Sequence, residues 1–585
     1  MVFSNNESTQ ELNGQLLKDG TPVIVTPSTA EGWPAYYGGV MLQGFYWDSY
    51  ADTKWTNLES QADEMSQFFD LIWVPNSAYA NATSNNMGYH PVYWFNHRSA
   101  FGTEAELRSM IQTFKQKGTG IIEDVVINHR ISAGSNWLVF PKETYKGVEY
   151  QLTADDICCD DESKDNGYTP NGAYDTGEPW GGARDLDHAG ANVQQNVMAY
   201  EDFLLNDLGY AGFRYDFVKG FAPRFVGLYN KTAGVQFSVG ECWDGSKTVV
   251  TNWINGTKKD DIIQSAAFDF PLKYYINDAF SQEKWSRLNG GCLADDNNYK
   301  RYAVTFVDNH DTGRSGECPL YANVEAANAF ILTMPGTPCV WLSHWKTYKT
   351  TIKKLILTRR ATGITNQSAI LTKQASANGY ILKVEGSKGN ALLLLGSATT
   401  ATDGFKLAVE GANYKLYVSN SVDLSALEEI HEDTFIAPDF CTVAYGEVCA
   451  FFEAPNAWSI VKCWAWDASN NYTGGAWPGA SCTKIGRNNG KFVWKWTYNG
   501  ALTTQPTFII FNNNNNGQQT ADLTFQNGGY YNDAGALQGI VTGVEDVRYL
   551  KTDATSNVWY DLQGRRITPQ SPGIYLHNNK KIVVR

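Results

Sequence analysis

The sequence holds no apolar run of eighteen residues, so no stretch is long enough to cross a bilayer as a helix. Cysteine is scarce, ten in 585 residues, which excludes a disulfide scaffold. Cys158 and Cys159 are adjacent and no pair shows zinc-ligand spacing. Charged residues make up only 18%, and positive charge is in deficit. Against 61 Asp and Glu stand 47 Lys and Arg, leaving −14, so a phosphate backbone is a poor partner and nucleic-acid binding is not expected. Residues 1–35 are polar and lack the apolar centre of a signal peptide. Either export does not use that route, or the numbered chain starts after a cleavage point.

Aromatic residues are plentiful. They reach 14%, with 19 Trp, more than core filling ordinarily needs; exposed rings that stack on flat ligands account for the surplus. With 43% hydrophobic residues the chain is folded rather than disordered, and at about 150 residues per domain it holds roughly four domains.

Eight short apolar runs occupy residues 40–45, 71–74, 121–126, 212–217, 237–242, 266–270, 304–307 and 338–342. Runs of this length, rich in Val, Ile and Phe, read as buried parallel strands. Amphipathic stretches separate them, such as 58–69, 104–117 and 192–208. Thr103 and Glu106 form a capping box, and Gly209 is a natural stop. The pattern is α/β and suggests a (β/α)₈ TIM barrel over 36–363, with a doubly wound sheet as the competing topology. Residues 128–190, rich in Asp, Gly and Asn, are too long for a plain connection and read as a functional insertion. Past residue 363 the pattern turns to strand and turn. A β-sandwich is expected over 364–450, a second β-rich unit over 451–535, and a short segment over 545–585.

Asp216, Glu241 and Asp311 each follow one of the apolar runs, at the end that forms the catalytic face of a barrel. Carboxylates in pairs are the machinery of glycoside hydrolysis: one is kept protonated as the acid, another ionised as nucleophile or base. Arg214, two residues before Asp216, shares its side of a strand and would hold it ionised.

The segments Asp124–His129, Gly212–Asp216, Gly240–Trp243 and Phe306–Asp311 resemble, in order, the four sequence regions of the α-amylase family, family 13 of the glycoside hydrolases. Gly44-Phe45-Tyr46-Trp47, Gly88-Tyr89-His90-Pro91, Asp175-Thr176-Gly177, Asp185-Leu186-Asp187-His188 and Pro335-Gly336-Thr337-Pro338 add a likeness to plant-type members, which runs from about 40 to 420. The resemblance implies Asp216 as nucleophile, Glu241 as general acid and base, and Asp311 as stabiliser of the distorted sugar. It implies retention, with the first two about 5–5.5 Å apart. It places Tyr89, His129, Arg214, Lys219, Trp243 and His310 at the substrate. It also implies a Ca²⁺ ion that clamps the insertion through Asn128, Asp175 and Asp185 and the backbone carbonyls of Glu178 and Gly220; oxygen donors suit that ion. Arg184 departs from the family's usual Pro, Tyr215 is bulkier than the common residue, and Gly220 stands where His is frequent. Asp161 could match a ligand of a second plant-type site, but Pro179 occupies the place of another.

Trp464 and Trp466 share a strand face, and Trp477 follows eleven residues after the second. The pattern resembles the small starch-binding modules of carbohydrate-binding family 26, in which such rings form the platform. Trp494 and Trp496 are the better core candidates. Val558-Trp559-Tyr560-Asp561-Leu562-Gln563-Gly564-Arg565 and Pro572-Gly573-Ile574-Tyr575 resemble the C-terminal sorting domains of some Gram-negative bacteria, which implies a secreted or surface-held protein.

The expectation is therefore a calcium-dependent, retaining, endo-acting α-amylase on starch and α-1,4-glucan oligosaccharides, working as a monomer. Its rivals are a maltooligosaccharide-forming or transglycosylating enzyme on the same scaffold, and a starch-capturing surface protein with a dead barrel.

Overall fold

The eight apolar runs become eight parallel strands that close on themselves: Met41–Gln43, Leu71–Trp73, Gly120–Val125, Gly212–Tyr215, Phe237–Gly240, Ala266–Phe268, Ala303–Phe306 and Thr337–Trp341. Each pairs with its sequence neighbours, and the first closes the barrel against the last, Met41 opposite both Leu71 and Cys339. Almost every residue in them is buried, as strands covered on both faces require. The doubly wound alternative is thereby excluded. This computed structural model describes residues 32–430 and 435–541 apart from 436, 439, 445, 489, 501–503, 515, 516 and 534; past 541 it describes only the backbone of four short strands.

The helices follow their sequence signals with two local differences. Thr103 caps Glu104–Gln116 with the reciprocal Thr103–Glu106 bonds of a capping box. The stretch expected as one helix over 58–69 is two, Trp55–Ser60 and Ala62–Phe68, broken at Gln61, whose φ of −98° and ψ of 3° leave the helical region. The third stretch runs as an α-helix over Ala191–Asp202 and widens to a π-helix over Phe203–Leu208 before Gly209, left-handed at φ 90°, ends it.

The described residues fall into two units, 1–432 and 433–585. In the first, residues Ile370–Ala375, Gly379–Gly386, Gly389–Gly396, Phe405–Gly411 and Tyr414–Ser419 form one five-stranded antiparallel sheet rather than two stacked sheets. Its inner side chains, Tyr380, Leu393 and Leu395, join the same apolar core as the barrel helices, so helices supply the layer that a second sheet would have supplied. Trp33, expected in the polar leader, is buried and donates from Nε1 to Thr337 Oγ1 at 2.8 Å, so the barrel unit starts before residue 36. Residues 1–31 of that leader lie outside the described residues.

In the second unit, Val448–Glu453 pairs with Lys491–Tyr498 and Gly529–Tyr531. This strand straddles the expected boundary at 450 and belongs wholly to the β-rich unit. A second sheet contains Ala480–Ser481, Lys462–Trp466, Phe508–Asn512 and Leu523–Thr524. Of the terminal segment, Trp559–Tyr560, Arg566–Ile567, Gly573–His577 and Lys580–Val584 form a small antiparallel sheet; the rest of 545–585, with all its side chains, lies outside the described residues.

Candidate active site

Three strand ends deliver the expected carboxylates. Asp216 follows Gly212–Tyr215 directly, Glu241 follows Phe237–Gly240, and Asp311 lies five residues past Ala303–Phe306. Backbone bonds fix the first two: Asp216 N–H donates to Val125 O and Glu241 N–H to Tyr215 O, each at 3.0 Å.

Arg214 stands at the centre with its guanidinium fully buried. Its NH1 donates to Asp124 at 2.6 Å and to Asp216 Oδ1 at 2.7 Å. Its NH2 lies 2.7 Å from Glu241 Oε1, an ion-pair contact outside hydrogen-bond alignment. One cation therefore touches three acids, and its rigid fork allows this where an ammonium would not. Phe217, held at φ 40° in the left-handed region, aims its N–H at Glu241 Oε2 at 3.0 Å. That strained backbone secures the second oxygen of Glu241.

The environment separates the acids. Burial pushes Glu241 up to about 8, with Asp216 and Asp311 adding like charge and Arg214 opposing. Asp311 is raised to about 6, again by burial first. Asp124, also buried, is raised to about 7 against the pull of Arg214. A protonated acid beside a guanidinium-bound carboxylate is the arrangement that acid–nucleophile chemistry needs.

The substrate-facing candidates gather around these groups. Tyr89 Oη donates to Asp124 at 3.0 Å and meets His310 Nε2 at 2.7 Å. Gln43 Nε2 donates to His310 Nδ1 at 2.8 Å, which leaves Nε2–H to face Tyr89 and, at 3.1 Å, Asp311. His129 Nε2 donates to Tyr89 O at 2.9 Å. Burial lowers His129 to about 4 and His310 well below its ordinary value, so both rings are neutral near pH 7. Trp243 donates from Nε1 to Tyr274 Oη at 2.9 Å and stacks on Phe270. Lys219 is tied by ion pairs to Glu178 at 2.8 Å and Asp244 at 3.3 Å rather than to Asp216, Glu241 or Asp311.

Several residues here lie outside the expected set. Trp47 stacks parallel to Tyr89 and His310 at about 6 Å, and Arg314 sits 4.3 Å from the Trp47 ring centroid and 3.6 Å from Asp311. Trp180, from the insertion, stacks on His129 at 4.1 Å and on His90 at 5.7 Å. The Gly-Phe-Tyr-Trp motif was the one available pointer to Trp47.

The expected calcium ligands converge. Asn128 and Asp185, both buried, lie side by side, Asn128 Nδ2 to Asp185 Oδ1 at 3.1 Å. A Cβ on Gly220 would stand 2.1 Å from Asn128 Oδ1, and one on Gly177 would stand 2.3 Å from the Gly220 carbonyl carbon, so both glycines permit a close backbone approach. Glu178 N–H donates to Lys219 O at 2.8 Å, which brings the 178 and 220 backbones together. Asp175 Oδ2 is buried with no hydrogen-bond partner. Burial and the neighbouring acids Asp175 and Asp161 raise Asp185 to about 8. Crowded oxygen donors with an orphaned carboxylate oxygen fit a hard divalent cation.

In the second unit, Lys462–Trp466 alternates, with Cys463 and Ala465 buried and Trp464 and Trp466 on the outer face. Trp477 is 41% exposed and its ring centroid lies 6.0 Å from that of Trp464. Phe508, also exposed, joins Trp466 at 5.5 Å. Trp494 and Trp496 are buried in the module's core, as their alternation implied.

The α-amylase catalytic-domain family matches residues 69–344, and starch-binding module 26 matches residues 450–525. Probable α-amylase 2 of Arabidopsis thaliana is 29% identical over 404 residues, 65% of this chain and 93% of its own. A glucan 1,4-α-maltotetraohydrolase of Stutzerimonas stutzeri is 31% identical over 426 residues, 66% of this chain and 74% of its own. The crystal structure of α-amylase from Geobacillus thermoleovorans complexed with acarbose shares the fold at a TM-score of 0.50 and 14% identity, covering 66% of this chain and 99% of that one.

Proposed function

This chain belongs to the α-amylase family of glycoside hydrolases and hydrolyses α-1,4-glucan bonds, and we propose that it does so as a retaining, endo-acting enzyme with Asp216 as nucleophile, Glu241 as acid and then base, and Asp311 as the group that holds the distorted sugar. The observation that carries this reading is the buried Arg214, which touches Asp216 and Glu241 at once while burial keeps Glu241 protonated.

The steps follow from those positions. Glu241 gives its proton to the glycosidic oxygen as the bond from C1 to that oxygen breaks. An Asp216 oxygen closes on C1 from the opposite face, and the leaving chain departs as an alcohol. Water then attacks C1, giving a proton to the Glu241 carboxylate, and the bond to Asp216 breaks. Two inversions restore the starting configuration, and both acids return to their first states. Tyr89 offers a flat face to the sugar, and the neutral His129 and His310 rings serve its hydroxyls. His310 and Arg314 flank Asp311 and hold it for the sugar hydroxyls.

Asn128, Asp175, Asp185 and the backbone carbonyls of Glu178 and Gly220 would hold Ca²⁺, which supplies positive charge that ties the insertion to the barrel and takes no part in the reaction. Trp464, Trp466 and Trp477 would stack on glucose faces of starch, which the match to a starch-binding module supports. The likeness of residues 558–575 to sorting domains, and a polymer substrate too large to enter cells, support secretion or surface attachment. Fusing 545–585 to a reporter tests that, with loss of export on its deletion as the expected result.

The relative that bears the name maltotetraohydrolase favours a second reading, release of one four-glucose product. Product lengths at low conversion of soluble starch separate the two. A spread of lengths supports endo action; maltotetraose alone overturns it.

A further inference from the structure

Beside the proposed calcium ligands lies a second set of acids. Asp161, Glu162 and Asp185 bring carboxylate oxygens within 4.8 Å of one another. Acids gathered and largely buried in this way require positive charge. Here the chain itself supplies it. Arg184 is 5% exposed; its Nε lies 3.1 Å from Asp161 Oδ1 and its NH2 donates to Glu162 Oε1. The guanidinium carbon sits 4.2 Å from the centroid of the Trp137 ring, which in turn stacks on Tyr168 at 5.7 Å.

Both Asp161 oxygens are already spent on the backbone. Oδ1 accepts from Ser163 N–H at 2.8 Å and Oδ2 from Asp185 N–H at 2.9 Å. Asp185 turns its own carboxylate the other way, toward Asn128 Nδ2 and Trp180 N–H. The cluster is therefore divided: two acids face the guanidinium, and the third faces the proposed calcium ligands. Arg184 also pairs with Arg130 in the two-residue bridge that sets His129 opposite Asp185. A shift of Arg184 would thus move a substrate-facing residue and a proposed metal ligand together.

We infer that Arg184 is a built-in cation: its guanidinium neutralises the Asp161–Glu162 edge of the insertion, and an uncharged side chain at 184 would open a second divalent-cation site there. Arg184 is a positioning residue, and its role is to replace an ion. The inference rests on the proposed calcium site only for the total ion count.

The test is calcium content per chain, by elemental analysis of the full-length protein dialysed against low calcium. Wild type, Arg184→Met, Arg184→Lys and Asp175→Asn are compared. One ion is expected in wild type and in Arg184→Lys, two in Arg184→Met and none in Asp175→Asn. If wild type holds none, the calcium-site reading fails, yet a rise to one in Arg184→Met still upholds the built-in cation. Two ions in wild type, or an unchanged count in a folded Arg184→Met, overturns it. Hydrogen exchange of wild type in EDTA covers the case in which Arg184→Met does not fold. The Ser163 and Asp185 amides should stay protected while segment 175–178 opens; equal loss in both overturns the inference.

Discussion

Replacing Arg214 by methionine keeps the stem of the side chain and removes its charge. The lost contacts are those to Asp124, Asp216 and Glu241, at 2.6, 2.7 and 2.7 Å, and the seat over Trp73, 4.8 Å from the ring centroid. Four acids then share the pocket without that cation. Two ionised carboxylates about 5 Å apart repel by about 3 kcal/mol at an effective dielectric of about 20. Without the guanidinium nothing offsets that repulsion, and Asp216 loses the contact that holds its Oδ1 in place to close on C1. At about 1.4 kcal/mol per decade, the rate should fall by at least about two orders of magnitude. Arg214→Lys should fall between the two, since an ammonium keeps charge and loses the fork. Adsorption to starch reports that the C-terminal module stays folded, and circular dichroism reports on the barrel. A folded Arg214→Met enzyme within about threefold of the wild-type rate would refute the reasoning.

Glu241→Gln should lose about three orders of magnitude in kcat and keep maltoheptaose binding, because proton transfer alone is removed; calorimetry beside initial rates checks both. In wild type, activity should decline on the alkaline side as pH rises through the raised value of Glu241, since the acid must carry its proton. Trp466→Ala should weaken adsorption to granular starch and leave maltoheptaose hydrolysis alone; unchanged adsorption would assign Trp466 to packing on Phe508. Glu201, buried under Tyr215 Oη, is raised to about 8, so the folded state holds a proton that the unfolded chain gives up near its ordinary value. Its stabilising contribution is present at low pH and lost as pH rises toward 8, and Glu201→Gln should flatten the fall in melting temperature over that window.

The barrel was legible because strands buried on both faces read as unbroken apolar runs, and all eight appear within a few residues of their expected places. The carboxylates were legible because acids at strand ends stand out against that background. Trp180 and Gln43 were not, since stacking and amide contacts leave no spacing to read, and Trp47 was marked only by its Gly-Phe-Tyr-Trp motif. The break at Gln61 was hidden because apolar periodicity continues across it. Val448–Glu453 crosses the expected boundary at 450 because it pairs with strands some forty and eighty residues on, a choice set by partners rather than by its own pattern. The single sheet over 370–419 looked like half a sandwich because a sheet facing helices alternates as one facing a sheet does.

The central claim is double displacement through Asp216 and Glu241. It is tested most directly by proton NMR of maltoheptaose digestion, with Asp216→Asn alongside. The account predicts α-anomeric products early in the wild-type reaction, turning to the equilibrium mixture only by mutarotation, and none from the variant. β-anomeric products, or undiminished turnover by Asp216→Asn, would contradict it.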